Sequence, residues 1–381
     1  MVSLSAFYTS SIHIIIGNFA SEKEYYMKKS IIALALIFGA TILKAEIMNP
    51  NTNTSLAPIE QLELTQEWDK VFPQSDKVDH RKITFVNRYG ITLAADVYTP
   101  KGINGKLPAI AVSGPFGAVK EQSSGLYAQQ LAERGFLTIA FDPSFTGESG
   151  GMPRRVASPD INTEDFSAAV DIISTMPNID TERIGILGIC GWGGIAIQAA
   201  INDPRIKATV ASTMYDMTRV TANGYYDADN SAEKRNAARA TMATQRTNDY
   251  LCGSYKRAGG VADPLPTDAP QFVKDYYAYY KTPRGYHERS GNSTDGWNAT
   301  SFLPFMNFKF FEYADELESA VMIVHGDKAH SYYFGKDTFA KLKGDNKQML
   351  TVKGANHCDL YDQLNIIPFD EIAGFFNEFL K

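Results

Sequence analysis

Cysteine is scarce, with three in 381 residues. Cys190, Cys252 and Cys358 make an odd, widely spaced set, which excludes a disulfide framework and leaves at least one thiol free. Basic charge is also in short supply: 37 Lys and Arg against 43 Asp and Glu give a net charge of −6. No basic cluster occurs in the body of the chain, so a nucleic-acid partner is excluded, because phosphate binding needs a positive field. Internal repeats and low-complexity tracts are missing too, which removes solenoid and fibrous architectures.

The start of the chain has a pattern of its own. "MKKSIIALALIFGATILKAE" (Met27 to Glu46) joins two lysines, a mostly apolar run and a small-residue cleavage site at Ala45. That is the order of parts in a secretory signal peptide, and the run is short for a membrane-spanning helix. Met27 therefore reads as the true start, and residues 1–45 as an over-extension plus signal peptide. The mature protein is expected to be periplasmic or secreted. No cysteine follows the apolar run as a lipid attachment point, so no stable membrane anchor is expected after cleavage.

Beyond a polar extension (46–80), strand and helix patterns alternate. "ITFVNRYGITLAADVYTP" predicts a hairpin. "LPAIAVSG", "FLTIAFD", "RIGILGI", "IKATVAST", "AVMIVHG" and "KQMLTVKG" read as buried strands, with helical periods in "SSGLYAQQLAERGF", "NTEDFSAAVDIISTMP" and "PFDEIAGFFNEFLK". This pattern predicts a doubly wound, mostly parallel α/β sheet entered through an antiparallel hairpin. Its core spans 81–213 and 320–381. Residues 214–319 show no clear strand and are too long for a structureless loop. They read as a mostly helical cap over the sheet's C-terminal edge, where such folds bind ligands. The tyrosines of this region, including Tyr225, Tyr226, Tyr250, Tyr255, Tyr276, Tyr277, Tyr279 and Tyr280, and Trp297, either line a pocket for an apolar or aromatic acyl substrate or pack helices together.

"RIGILGICGWGGIAIQAA" (Arg183 to Ala200) places Cys190 on a sharp strand-to-helix corner. Such a corner exposes the side chain at its apex and aims the first N–H groups of the helix at whatever binds there. Three readings arise: an acyl-transfer nucleophile with Gly188 two residues before it, a dinucleotide fingerprint (Gly191, Gly193, Ala196) with Asp216 as ribose acceptor, and a buried structural thiol. The rest of the chain favours the first. Asp327 follows a later strand in "VHGDKAH" and His357 follows the last strand in "VKGANHCDLYD", in the order nucleophile, acid, histidine. A dinucleotide turn belongs after the first strand, whereas this one follows the fifth.

Taken together, these residues resemble the α/β-hydrolase fold, and within it the dienelactone hydrolase-like branch, which uses cysteine at the elbow. "FDPSFTGESGG" (Phe141 to Gly151) is similar to the loop after the fourth strand of these hydrolases, and "GANHCDLYD" to their histidine loop. "SGPFGAVKEQ" (Ser113 to Gln122) resembles their oxyanion loop; Pro115 has no N–H, so the donor nominated is the backbone of Phe116. The resemblance implies Cys190 as nucleophile, His357 as base, Asp327 as acid with Asp359 as the fallback, and the N–H groups of Gly191 and Phe116 as oxyanion donors. It also implies hydrolysis of a small ester, lactone or thioester acyl substrate, with no cofactor. A peptidase or acyltransferase on the same fold, or an inactive binding module, is the alternative.

Trp192 departs from the pattern, standing where the second elbow glycine belongs, and is expected to crowd the turn. Lys120 and Glu121 read either as substrate-orienting or as an ordinary solvated pair. Cys358 either packs in the interior or lies near enough to Cys190 to pair with it. His325, Asp327 and His330 straddle a strand end and are expected to hold no metal.

Overall fold

The computed structural model describes residues 60–103 and 105–381. The signal-peptide stretch, and residues 46–59 of the extension, lie outside the described residues. Among the described residues, no helix is long and apolar enough to cross a membrane.

Eight strands form one sheet: β1 (Val78–Val86), β2 (Thr92–Pro100), β3 (Leu107–Ser113), β4 (Leu137–Phe141), β5 (Ile179–Ile189), β6 (Ala208–Ser212), β7 (Ala320–Gly326) and β8 (Lys347–Val352). Their spatial order is β1-β2-β4-β3-β5-β6-β7-β8. The β1/β2 hairpin is antiparallel, and β2 joins β4 antiparallel. From β4 through β3 and on to β8 every pairing is parallel.

Helices cover both faces, which is why the central strands read as unbroken apolar runs. Alternate residues feed two cores. Ala109, Ala111, Ile184, Ile186, Val321 and Ile323 face α2 (Pro159–Ser174) and α3 (Gly191–Asn202). Ile110, Val112, Leu187, Ile189, Met322 and Val324 face α1 (Ser123–Ala132) and α10 (Phe369–Phe379). Gly185 lets α10 lie close, since a Cβ there meets the Phe376 ring at 2.7 Å.

Between β6 and β7 the chain forms no named strand and carries α4 (Met217–Asn223), α5 (Ala232–Cys252), α6 (Gln271–Tyr280) and α7 (Phe302–Asn307). Asp216, the ribose acceptor of the dinucleotide reading, is instead the N-cap of α4, its carboxylate accepting from Arg219 N and Thr218 Oγ1. After β7 comes α8 (Tyr332–Phe339), and after β8 the one-turn α9 (Asp359–Asp362).

Lys120 and Glu121 are not a solvated pair: both are completely buried. Lys120 Nζ donates to Glu121 Oε1 (2.6 Å), Asp142 Oδ2 (2.9 Å) and Glu148 Oε2. Lys82 also pairs with Glu148 (2.6 Å), and Arg289 with Glu121 (2.9 Å). Lys120, Lys82 and Arg289 thus give each of these buried carboxylates a cation partner, as burial of charge requires, and Arg289 also pairs with Asp69. Among the described residues, Glu121, Asp142 and Glu148 are the one group of three whose atoms are close enough to hold a metal ion, and the Lys120 ammonium already bonds to all three. The network ties the loop after β3 to the loop after β4, and Val71 N, from the N-terminal extension, donates to Glu121 O (3.0 Å).

Removing one partner of a buried ionic set leaves the others uncompensated. Lys120→Met is therefore expected to cost about 3–5 kcal/mol in urea unfolding. Lys309→Met, at an exposed position, is expected to change stability by less than about 0.5 kcal/mol. Equal effects from the two would contradict this.

Candidate active site

The parallel register brings the loops after β3, β5, β6, β7 and β8 to one edge of the sheet. Cys190 sits between β5 and α3 with φ 58° and ψ −128°, a strained backbone for a non-glycine residue. Close packing holds it there. A Cβ at Gly188 would lie 2.0 Å from Trp192 O, and one at Gly114 (φ +104°) would lie 2.4 Å from Ile189 O and 2.8 Å from Trp192 Cβ. The corner is pinned by Cys190 N donating to Ser212 O (2.9 Å) and Tyr215 N donating to Cys190 O (3.0 Å).

Trp192 does not crowd the turn. Its indole points into the core, edge-on to Phe141 (5.7 Å between ring centres) and Phe166 (5.4 Å). Gly114 supplies the space that the missing elbow glycine otherwise provides.

Cys190 is buried, 6 % exposed. Burial, the largest influence, raises the thiol pKa, while the Tyr361 hydroxyl and the N–H groups of Phe116 and Gly191 favour the thiolate. Phe116 lines the cavity beside Cys190, and Gly191, the next residue, opens α3. Phe116 is held by Asn292 Nδ2, which donates to its carbonyl (2.5 Å), by Ser290 Oγ donating to Gly117 O (2.9 Å), and by its ring lying 4.8 Å from that of Trp297.

His357 is buried in the loop after β8. Its Nε2 lies 3.0 Å from Tyr361 Oη, and its Nδ1 lies 2.6 Å from Ser331 Oγ and 2.9 Å from Thr213 Oγ1. Among the described residues no hydrogen bond joins His357 directly to Cys190, and no carboxylate hydrogen-bonds the ring; Tyr361, whose hydroxyl meets Nε2, lines the same cavity as Cys190. Burial, followed by His330 and His325, holds the pKa of His357 well below the usual histidine value.

The acid assignments are corrected accordingly. Asp327 Oδ1 accepts from Gly354 N (2.7 Å), bracing the loop after β8. Asp359, the first residue of α9, accepts from Asn356 N (2.8 Å) before the helix and from Gln363 Nε2 (2.7 Å) after it. Both carboxylates brace the local chain, and the place of a carboxylate at Nδ1 is taken by the hydroxyls of Ser331 and Thr213. Sequence reasoning missed these two and Tyr361. Only Tyr361 left a trace, four residues after His357 and so one helical turn on.

Phe116, Cys190, Tyr215, Met217, Val261, Tyr276, Tyr280, Asn292 and Tyr361 line a cavity of about 150 Å³ beside the sulfur. Of the tyrosines and tryptophan singled out earlier, Tyr276 and Tyr280 line it, Trp297 backs Phe116, and Tyr226, Tyr250 and Tyr255 are exposed. The lining includes no Asp, Glu, Lys, Arg or His. All three cysteines are free thiols, with Cys358 buried and Cys252 exposed.

Residues 89–359 match the sequence model of X-Pro dipeptidyl-peptidase (S15 family). The chain belongs to the S15 family. This S15 chain is 52% identical over 366 residues to protein PA2218 of Pseudomonas aeruginosa, covering 96% of this chain and 98% of that protein. The crystal structure of PA2218 superposes with a TM-score of 0.82 at 56% identity, covering 84% of this chain and 99% of that one. Thiohydrolase aneE of Aspergillus aculeatus is 32% identical over 137 residues, 36% of this chain and 42% of its own length. The α/β hydrolase GrgF of Penicillium shares the fold at 18% identity, with a TM-score of 0.65 over 79% of this chain and 99% of that one. The S15 protein thus has the α/β-hydrolase fold expected from its sequence and is hydrolase-like.

His325 and His330 each have a pKa lowered to about 4, chiefly by burial. Between pH 6.5 and 5 the unfolded chain therefore binds more protons than the folded one, so stability rises with pH there and is lost on acidification. Most carboxylates stay ionised over this interval. The unfolding free energy from urea titration is expected to fall on going from pH 6.5 to 5, by about 1.5 kcal/mol for each of the two histidines, and to fall less in His330→Phe. A flat profile would contradict the burial of neutral imidazoles.

Proposed function

We propose that this protein hydrolyses a small ester, lactone or thioester through an acyl-enzyme on Cys190, using cysteine at the elbow as the dienelactone hydrolase-like branch does. One observation carries the reading: a cysteine held at positive φ at a helix N-terminus, on the wall of a cavity that Phe116 also lines. Sulfur attacks the carbonyl carbon, and the displaced electron pair collects on oxygen between those two donors, each worth on the order of 3 kcal/mol of barrier. His357 is the base that accepts the thiol proton and returns it to the leaving group. Water then attacks the acyl carbon, and the thiolate departs and regains its proton.

The same site suits acyl transfer when an alcohol or thiol replaces water. Family membership makes a peptidase the second reading. The cavity weighs against an X-Pro dipeptidyl-peptidase, because that substrate carries an N-terminal ammonium and the lining offers no carboxylate to pair with it. An apolar cavity of about this size holds a ring such as benzene, which supports a small, uncharged acyl group against the wall. The tyrosine-rich wall supports an apolar or aromatic one. We also infer that the enzyme works in the periplasm or outside the cell, on the pattern of Met27–Glu46.

The test is turnover of p-nitrophenyl butyrate beside an X-Pro p-nitroanilide. Ester turnover is expected, with no release from the anilide. Cys190→Ser should lower kcat/KM by about a thousandfold or more. Asp327→Asn should stay within about threefold of the parent, because Asn keeps an oxygen for Gly354 N and the ring does not use it. Undiminished ester turnover by Cys190→Ser would remove the proposal.

A further inference from the structure

The path between the thiol and the imidazole runs through a third side chain. Tyr361 Oη lies 3.0 Å from His357 Nε2, and Tyr361 and Cys190 line the same cavity. The tyrosine is completely buried and has little freedom to move aside. Its ring packs against Tyr279 (5.1 Å between centres), Tyr280 (6.1 Å) and His357 (5.3 Å). Its backbone is held on both sides: Ser123 Oγ donates to Tyr361 O (2.8 Å), Tyr127 Oη to Leu360 O (2.8 Å), and Arg284 pairs with Asp362.

The far side of the imidazole sets the direction of the path. With Nδ1–H donating to Ser331 Oγ, Nε2 is left as an acceptor, and the atom it meets is the Tyr361 hydroxyl. Across the cavity that the two residues share, the thiol can turn its S–H to the phenol oxygen while the phenol donates to Nε2, which would join the three groups in one chain of hydrogen bonds. Such chains let a proton move without any group leaving its place.

We propose that Tyr361 is a catalytic residue whose hydroxyl relays the Cys190 proton to His357. The proposal rests on the reading of Cys190 as nucleophile. As the sulfur–carbon bond forms, the S–H proton passes to Tyr361 Oη and the phenolic proton passes to Nε2, while the carbonyl π pair moves onto oxygen. When the tetrahedral species collapses, the carbonyl re-forms and the bond to the leaving oxygen or sulfur breaks. The proton returns from Nε2 through the same hydroxyl. Tyr361 ends each step neutral and nothing is oxidised or reduced. Burial raises the phenol and thiol pKa values and lowers that of His357, so the resting chain is neutral and a single proton's displacement activates it.

The test compares the parent with Cys190→Ser, Tyr361→Phe and a protein carrying 3-fluorotyrosine at position 361. Phenylalanine keeps the ring and its packing, so melting temperature is expected to stay within a few degrees, with kcat for p-nitrophenyl butyrate about a hundredfold lower and KM little changed. Alkylation of Cys190 by iodoacetamide should slow in parallel, which gives a readout independent of turnover. In H2O/D2O mixtures the parent should show a curved proton inventory from two protons in flight, and Tyr361→Phe a linear one. The fluorotyrosine protein, which retains a hydroxyl, should recover to within about tenfold of the parent. Should Tyr361→Phe match the parent in kcat, alkylation rate and proton inventory while Cys190→Ser is dead, the relay is overturned and the nucleophile stands. Should Cys190→Ser remain active, the nucleophile reading falls and takes the relay with it.

Discussion

The corner at Cys190 is the constraint on which the rest of the site depends. A non-glycine residue at φ 58° persists only where surrounding packing over-determines it. Here Gly188 and Gly114 let strand, helix and oxyanion loop approach until no Cβ fits between them. That crowding fixes the sulfur at the mouth of α3 and also fixes the positions of the Phe116 and Gly191 N–H groups relative to it. Trp192 shows how firmly the corner is set. A residue far larger than glycine is accommodated by turning its ring into the core beside Phe141 and Phe166.

Charge is distributed with equal definition. The cavity wall is tyrosine, methionine, valine, phenylalanine and asparagine, and the imidazole is steadied by hydroxyls in place of a carboxylate. A buried set of ion pairs lies at the loop after β3, where Lys120 gathers Glu121, Asp142 and Glu148. Full charges in a low-dielectric site would dominate its electrostatics. Here they anchor the loop that carries Phe116, and in the proposed mechanism the reacting groups stay neutral until a proton moves.

The centre of the sheet was legible because parallel strands buried on both faces leave continuous apolar runs, as in β3, β4, β6 and β7; the hairpin and β8 carry more polar residues and were placed by their turns and β-rich composition. The elbow was legible from the glycines flanking Cys190, and His357 from its place after the last strand. The acid was not. Position after β7 pointed to Asp327, yet the chain there turns the carboxylate onto Gly354 and brings Ser331 beneath the imidazole. Ser331 and Thr213 carry no distinguishing sequence signal, since serine and threonine at strand ends are common turn residues. Lys120 and Glu121 looked solvated because Asp142, Glu148, Lys82 and Arg289 are far away in sequence and meet them only through the sheet order. Tyr361 could be found only by supposing a helical turn immediately after His357.

The most direct test of the central claim is a crystal structure of the protein trapped as its acyl-enzyme with a slowly hydrolysed aryl ester. The account predicts a thioester on Cys190 whose carbonyl oxygen lies within about 3 Å of both the Phe116 and Gly191 nitrogens. An adduct on another residue, or a carbonyl oxygen turned away from those two N–H groups, would contradict it.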